Sequence, residues 1–238
     1  IWPGCSARTE HSGRNSIGTY LRKRAPRKMS DKYSVGPRPY LMAFTAGALL
    51  LCESVIAAEV YARVGDWRAV RKEMRDGNLL QIRTPSAAER RGREAVQRLE
   101  NLTPVQLGLL VDGSKGDQLA LCWLAICKRY QFVHDFAAQV VREKFVRLDF
   151  NLTYGDFDIF FNRKMDWHPE LEKIRLSTRA KLRSNLFAML READIVSKGD
   201  IIQPALLSPA LIAAIRGDDA ALLAIFPVSD AQLTEWSQ

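Results

Sequence analysis

The side chains of this 238-residue chain best suited to chemistry lie in residues 168–203. The order there is a short helix at His168-Pro169, a turn at Ser177 and a basic helix over 178–193. A small β-hairpin follows, from Ile195-Val196 through Ser197-Lys198-Gly199-Asp200 to Ile201-Ile202. This is the order of a winged helix-turn-helix, whose second helix enters the major groove and meets base edges with its N-terminal residues. At about 100° per residue, Leu182, Leu186, Met189 and Leu190 share one arc, and Lys181, Ser184, Asn185 and Arg191 the opposite one. Asn can bond adenine bidentately, and Lys can meet guanine or phosphate. Arg179, Lys181, Ser184 and Asn185 are therefore DNA-binding candidates, with Lys198 at the hairpin tip reaching phosphate. Arg183 lies beside the apolar arc, where a long side chain snorkels. An amphipathic surface helix with no ligand would show the same pattern.

A second basic zone runs from Arg68 to Arg98. Arg83, Arg90, Arg91 and Arg93 surround a helix start at Thr84-Pro85-Ser86, where Ser86 and Glu89 have capping-box spacing. The dipole of such a start favours phosphate. Solvated helix faces carry similar clusters.

Enzyme chemistry finds less support. Gly108 to Lys115 ends Gly113-Ser114-Lys115, whereas a P-loop needs Gly-Lys-Ser/Thr after a strand. Asp156, Asp158, Asp166, His168, Glu170 and Glu172 form an acidic cluster, but they are mixed with helix caps. His134 is flanked by apolar helix positions, with no local nucleophile signature. Cys52, Cys122 and Cys127 lie in apolar runs, no CxxC occurs and only three histidines are present, so a structural zinc site is not expected. No catalytic residue, metal or cofactor is assigned.

The charge is unevenly placed. The chain carries +8, with 35 basic and 27 acidic residues. Residues 1–28 hold seven basic groups against Glu10 alone; they are read as a leader or added basic segment outside the fold. A basic arm lying on a phosphate backbone is the alternative. The other 210 residues hold 28 basic and 26 acidic groups. Within them, residues 63–98 and 163–191 are each net +5 and residues 199–238 net −4. The uncharged run Leu41 to Cys52 is shorter than the about 20 residues a membrane helix needs. It is read as part of a buried helix running from about Tyr40 or Thr45 to Arg63, and the protein as cytoplasmic, without a membrane partner.

The elements that must position these groups are helical. Asp66 caps a helix over 66–76, and Thr103-Pro104 starts another. Apolar helices follow at about 116–129 and 131–148. Thr153 or Asp156 opens an aromatic helix, Ser208-Pro209 one that stops at Gly217, and Asp218 a last one ending before Pro227. The expected fold is mainly α: a multi-helix array with a C-terminal winged helix-turn-helix-like unit containing one small β-hairpin. The expected division is 29–150 for a helical domain and 151–238 for the winged-helix-like one.

Residues 29–238 also resemble the BrxA family, small accessory proteins of BREX anti-phage defence. The likeness rests on the opening Tyr40-Leu41-Met42-Ala43-Phe44-Thr45-Ala46-Gly47-Ala48-Leu49-Leu50, the aromatic stretch from Asp149-Phe150 to Phe161, and the tail Ile202-Gln203-Pro204-Ala205-Leu206-Leu207-Ser208-Pro209. It implies an all-helical, non-enzymatic protein that binds double-stranded DNA. It also implies work alongside a BREX methyltransferase, ATPase and phosphatase-like subunit. A scaffold that joins these subunits without touching DNA is the alternative.

Overall fold

Polar residues mark where the helices of this chain begin. A computed structural model describes residues 39–45 and 47–237, so the reading of residues 1–28 lies outside the described residues. Among the described residues the order is α1 (Leu51–Val64), α2 (Trp67–Asp76), α3 (Pro85–Leu99), α4 (Pro104–Asp112), α5 (Lys115–Arg129) and α6 (Gln131–Phe136). A π-helical segment (Ala137–Arg142) joins α6 to α7 (Glu143–Val146) without a break. Then come α8 (Tyr154–Met165), α9 (Leu176–Glu192), α10 (Pro209–Asp219), a 3₁₀ segment (Ala220–Ile225) and α11 (Asp230–Ser237). Asp66, Thr103, Ser114, Thr153 and Ser208 each accept a hydrogen bond from the first turn of the helix they precede. Such caps satisfy otherwise orphaned N–H groups, at about 1 kcal/mol each.

The helix α5 forms the centre. Every side chain from Leu121 to Cys127 is buried, including Trp123, whose Nε1 donates to the Ile225 carbonyl at 3.2 Å. Helices α1, α2 and α3 pack on one another, and α5 contacts α1, α3, α4, α6 and α9. A phenylalanine cluster ties α6 to α8: Phe132 meets Phe157, Phe160 and Phe161 edge-on with ring centroids 5.2–5.8 Å apart. Each such pair adds about 0.5–1.5 kcal/mol beyond its buried area. The described residues lie in one compact unit, and residues on both sides of position 150 share its core.

The main departure from expectation is the apolar run at its described residues 40–45 and 47–50, which are not helical. Leu50 adopts φ 61° and Gly47 φ 112°. A Cβ on Gly47 would lie 2.8 Å from Leu50 Cδ2, so the turn there suits glycine. This segment finds its backbone partners far away in sequence. Arg98 Nη1 donates to the Ala48 and Leu49 carbonyls, the Leu49 N–H donates to Glu192, and the Tyr40 N–H donates to Glu170. Arg98 is only 1 % exposed. Its Nε bonds Glu94 at 2.8 Å, and Tyr130 Oη donates to the same Glu94 oxygen at 2.5 Å. The buried charge is thus both paired and put to use as a donor to bare carbonyls.

Smaller departures have similar causes. Helix α3 starts after Thr84, with Pro85 at its first position, and no Ser86–Glu89 capping box forms. Glu89 instead pairs with Arg93. His168-Pro169 lies in turns rather than a helix, because His168 is buried beneath Tyr40 with rings stacked at 3.8 Å. Helix α9 begins at Leu176, two residues before the expected start at 178. Asp219 rather than Asp218 caps the 3₁₀ segment, and α10 runs through Gly217. The described residues contain no β-strand; residues 195–203 double back with one isolated bridge, Val196 to Ile202, and Ile201 forms another with Asn151.

Candidate nucleic-acid interface

Helix α9 divides as its sequence pattern requires. Leu182, Leu186, Phe187, Met189 and Leu190 are buried. Ser177, Thr178, Ala180, Lys181 and Ser184 are exposed, as are Lys173 and Arg175 just before the helix. Leu176, at its first position, is 82 % exposed. Lys173, Arg175, Lys181 and Lys198 make no ion pair among the described residues.

The other candidates on α9 are held by the protein. Arg179 Nε donates to Asp158 Oδ1 at 3.0 Å, Nη1 to Asn162 at 2.8 Å and Nη2 to the Asp158 carbonyl at 3.0 Å. Its guanidinium also lies 4.3 Å from the Phe161 ring centroid, leaving the side chain 17 % exposed. Arg183 pairs with the second Asp158 oxygen and covers the Tyr154 ring at 4.6 Å. Asp158 therefore locks α8 to α9 through two cations, a link that helix periodicity alone could not reveal. Asn185 Nδ2 donates to the Phe44 carbonyl at 3.3 Å.

The end of α9 positions the loop after it. Arg191 holds Asp200 in a two-pronged pair at 2.8 Å for each bond. The hydrogen bonds from Arg191 to Asp200 raise the guanidinium's pKa above its ordinary value, although partial burial opposes them. Ser197 N–H donates to the Ile201 carbonyl and Gln203 N–H to the Ile195 carbonyl, closing a turn with exposed Lys198 and Gly199 at its tip. Asp200 sits at φ 60°, a left-handed conformation that Asp tolerates better than most residues. Leu152 N–H and the Phe150 carbonyl bond the returning limb, so the turn is anchored beside α8.

The second zone contains a groove of about 340 Å³ between α2 and α3. Arg68, Arg71, Lys72, Arg75 and Arg93 line it, with Glu89 the one acidic side chain. The convergence of the α2 cations with Arg93 appears only once α3 is packed alongside. Arg83 and Arg90 are exposed outside it and make no ion pair among the described residues. Arg91 is turned inward to the buried carboxylate of Glu53. No residue of α9 lines this groove. Among the described residues no group of three or more His, Cys, Asp or Glu could hold a metal ion, and no helix is long and apolar enough to cross a membrane.

Comparison with known proteins gives three consistent matches. The family model described as BrxA matches residues 38–219. A BREX protein BrxA from Escherichia coli O9:H4 (strain HS) is 26 % identical over 175 residues, covering 73 % of this chain and 82 % of the relative. A crystal structure of an uncharacterized protein from Magnetospirillum magneticum superposes with a TM-score of 0.68 at 22 % identity. It covers 80 % of this chain and 98 % of the other, so the two share a fold.

Proposed function

The chain belongs to the BrxA family, and on that premise we propose that it is a non-enzymatic, double-stranded DNA-binding accessory of a BREX anti-phage defence system. The family relative that carries the BREX name supports the defence setting. The observation that carries the DNA reading is a surplus of exposed cations without a carboxylate partner among the described residues. They are Lys173, Arg175, Lys181 and Lys198 around α9, and Arg68, Lys72, Arg83 and Arg90 on the other zone. Exposed ion pairs contribute only about 0–1 kcal/mol, and unpaired cations have no internal partner to give up on meeting phosphate.

In this reading residues 151–238 act as a winged helix-turn-helix-like unit. The start of α9 presents Ser177, Thr178, Lys181 and Ser184 to the duplex, and the turn at Lys198 serves as the wing on a phosphate. Arg179 and Asn185 hold the helix in place, and Arg91 holds α3 to α1. The described residues up to position 150 form the helical body. A cytoplasmic location and BREX methyltransferase, ATPase and phosphatase-like subunits as partners go with the same reading.

A gel shift of the full chain on duplex DNA across a salt series tests it. Affinity should fall steeply as salt rises, because each phosphate contact releases counterions. Absence of binding at low salt would overturn the proposal.

One observation favours the scaffold reading instead. An apolar groove of about 500 Å³ lies between α5 and residues 193–207, and Leu206 at its rim is 91 % exposed. Capture of BREX subunits that survives nuclease treatment, with no gel shift by the pure protein, would select the scaffold.

A further inference from the structure

We propose that the groove between α2 and α3 is a discrete oligophosphate site, which takes two or three closely spaced phosphates rather than the flank of a duplex. The assignment goes beyond the duplex reading: it shares Arg68 and Lys72 with that reading but uses none of the cations around α9, nor Arg83 and Arg90.

The first ground is the arrangement of charge. Arg68, Arg71, Lys72 and Arg75 stand at i, i+3, i+4 and i+7 on one face of α2, within about 10 Å along the axis at 1.5 Å per residue. Arg68 with Lys72, and Arg71 with Arg75, are like-charged i,i+4 pairs, and such pairs weaken a helix. Arg93 reaches the groove from α3, giving five cations against the single carboxylate of Glu89. A bound polyanion converts this repulsion into attraction.

The second ground is that the cations are available. Arg71 pairs with Glu100, Arg75 with Asp76 and Arg93 with Glu89, all on the exposed surface. Pairs of that kind are weak, and charge-assisted bonds from guanidinium to phosphate can replace them. Arg68 and Lys72 make no ion pair among the described residues and lie on the same face.

The third ground is shape. The hollow of about 340 Å³ is at the small end of the range for ligand pockets, roughly 300–1,000 Å³. Its floor is Met74, packed against Gly92, with Met74 Cε 3.7 Å from the position of a Cβ there. A short phosphate chain fits a hollow of that volume. Two sources offer that chemistry: the triphosphate of a free nucleotide, and phosphates at a nucleic-acid end or on a splayed single strand.

Calorimetric titration of the full chain with inorganic tripolyphosphate, at a fixed ionic strength near 0.15 M, tests the site. Saturable binding is expected. Arg68→Gln with Lys72→Gln should weaken it about tenfold or more, whereas Lys181→Gln with Lys198→Gln should leave it unchanged. Both pairs lie on the exposed surface, and unchanged thermal unfolding of each variant confirms the fold. No saturable binding, or equal binding by the α2 variant, overturns the proposal. Displacement by ATP but not by single-stranded DNA assigns a free nucleotide, and displacement by single-stranded DNA assigns a strand; both support the site. A gel shift that fails while tripolyphosphate still binds would remove the duplex reading and leave this one standing.

Discussion

The Asn185 side-chain amide donates to the Phe44 carbonyl at 3.3 Å, across 141 positions of sequence. The residue whose type best suits adenine recognition is thus occupied in fixing a non-helical segment to α9. Asn185→Ala should lower stability by about 1 kcal/mol and leave duplex affinity unchanged. Urea unfolding and gel shifts on the same preparation check both outcomes. A loss of affinity without a loss of stability would return Asn185 to the interface.

Lys181 and Arg179 should part company in the same way. Lys181→Ala should reduce the slope of log affinity against log salt by about one, with unfolding unaltered. Arg179→Ala removes an ion pair, two further hydrogen bonds and a cation–π contact with Phe161. It should destabilise the protein by about 2 kcal/mol, and its effect on DNA binding should follow from that loosening. Salt-dependent binding curves and thermal unfolding separate the two effects.

Asp135 supplies a prediction for acid. Burial opposes its ionisation, but hydrogen bonds from His134, Tyr40, Lys164 and Gln131 outweigh this and hold the carboxyl well below the usual carboxylate range. A depressed folded-state value gives stability that is complete above the unfolded pKa of about 3.9. That stability is lost as pH falls through the lower folded value. Stability should therefore fall below about pH 4. Asp135→Asn should flatten that fall while costing about 1–3 kcal/mol at neutral pH, since Lys164 loses its carboxylate. Urea midpoints from pH 2.5 to 7 check the sign.

Thiol reactivity should report the core. Burial pushes the Cys122 thiol up to about 12, despite a hydrogen bond with Ser54, and pushes Cys127 well above its ordinary value. Thiolate is the reactive form, so neither should react with a disulfide reagent near pH 8 until the protein unfolds. Cys52 is exposed and should react in the folded state. Mass mapping of labelled peptides with and without urea distinguishes the three.

Much of the architecture was legible because it is written in local chemistry. Thr103, Thr153, Ser208 and Asp66 announced their helices by side chains that reach only two or three residues onward. The buried arc of α9 followed from periodicity, since Leu182, Leu186, Met189 and Leu190 all face inward. What escaped depends on distant partners. The run from Tyr40 to Leu50 has the composition of a buried helix, and distant partners, Arg98, Glu170, Asn185 and Glu192, take up backbone groups there instead. The ties of Arg179 and Arg183 to Asp158 escaped for the same reason, and so did the groove, which needs α3 beside α2. Helix α11 carries little apolar pattern; Arg142 reaches Asp230 from 88 positions away to hold it.

The stitching of residues 40–50 to α9 also imposes an order in time. On a ribosome, Phe44 and Leu49 emerge long before Asn185 and Glu192. At about 5–20 residues per second, roughly 7–28 seconds separate a carbonyl from the amide that will bond it. Over that interval Tyr40, Phe44, Leu49 and Leu50 lack the α9 side that helps to bury them. Helices α1 to α5 can assemble from nearer neighbours, but the first described segment of the chain must wait for α9 to fasten it. Full closure of the core is therefore a late event in synthesis, and truncation before α9 should leave an apolar strand for chaperones to cover.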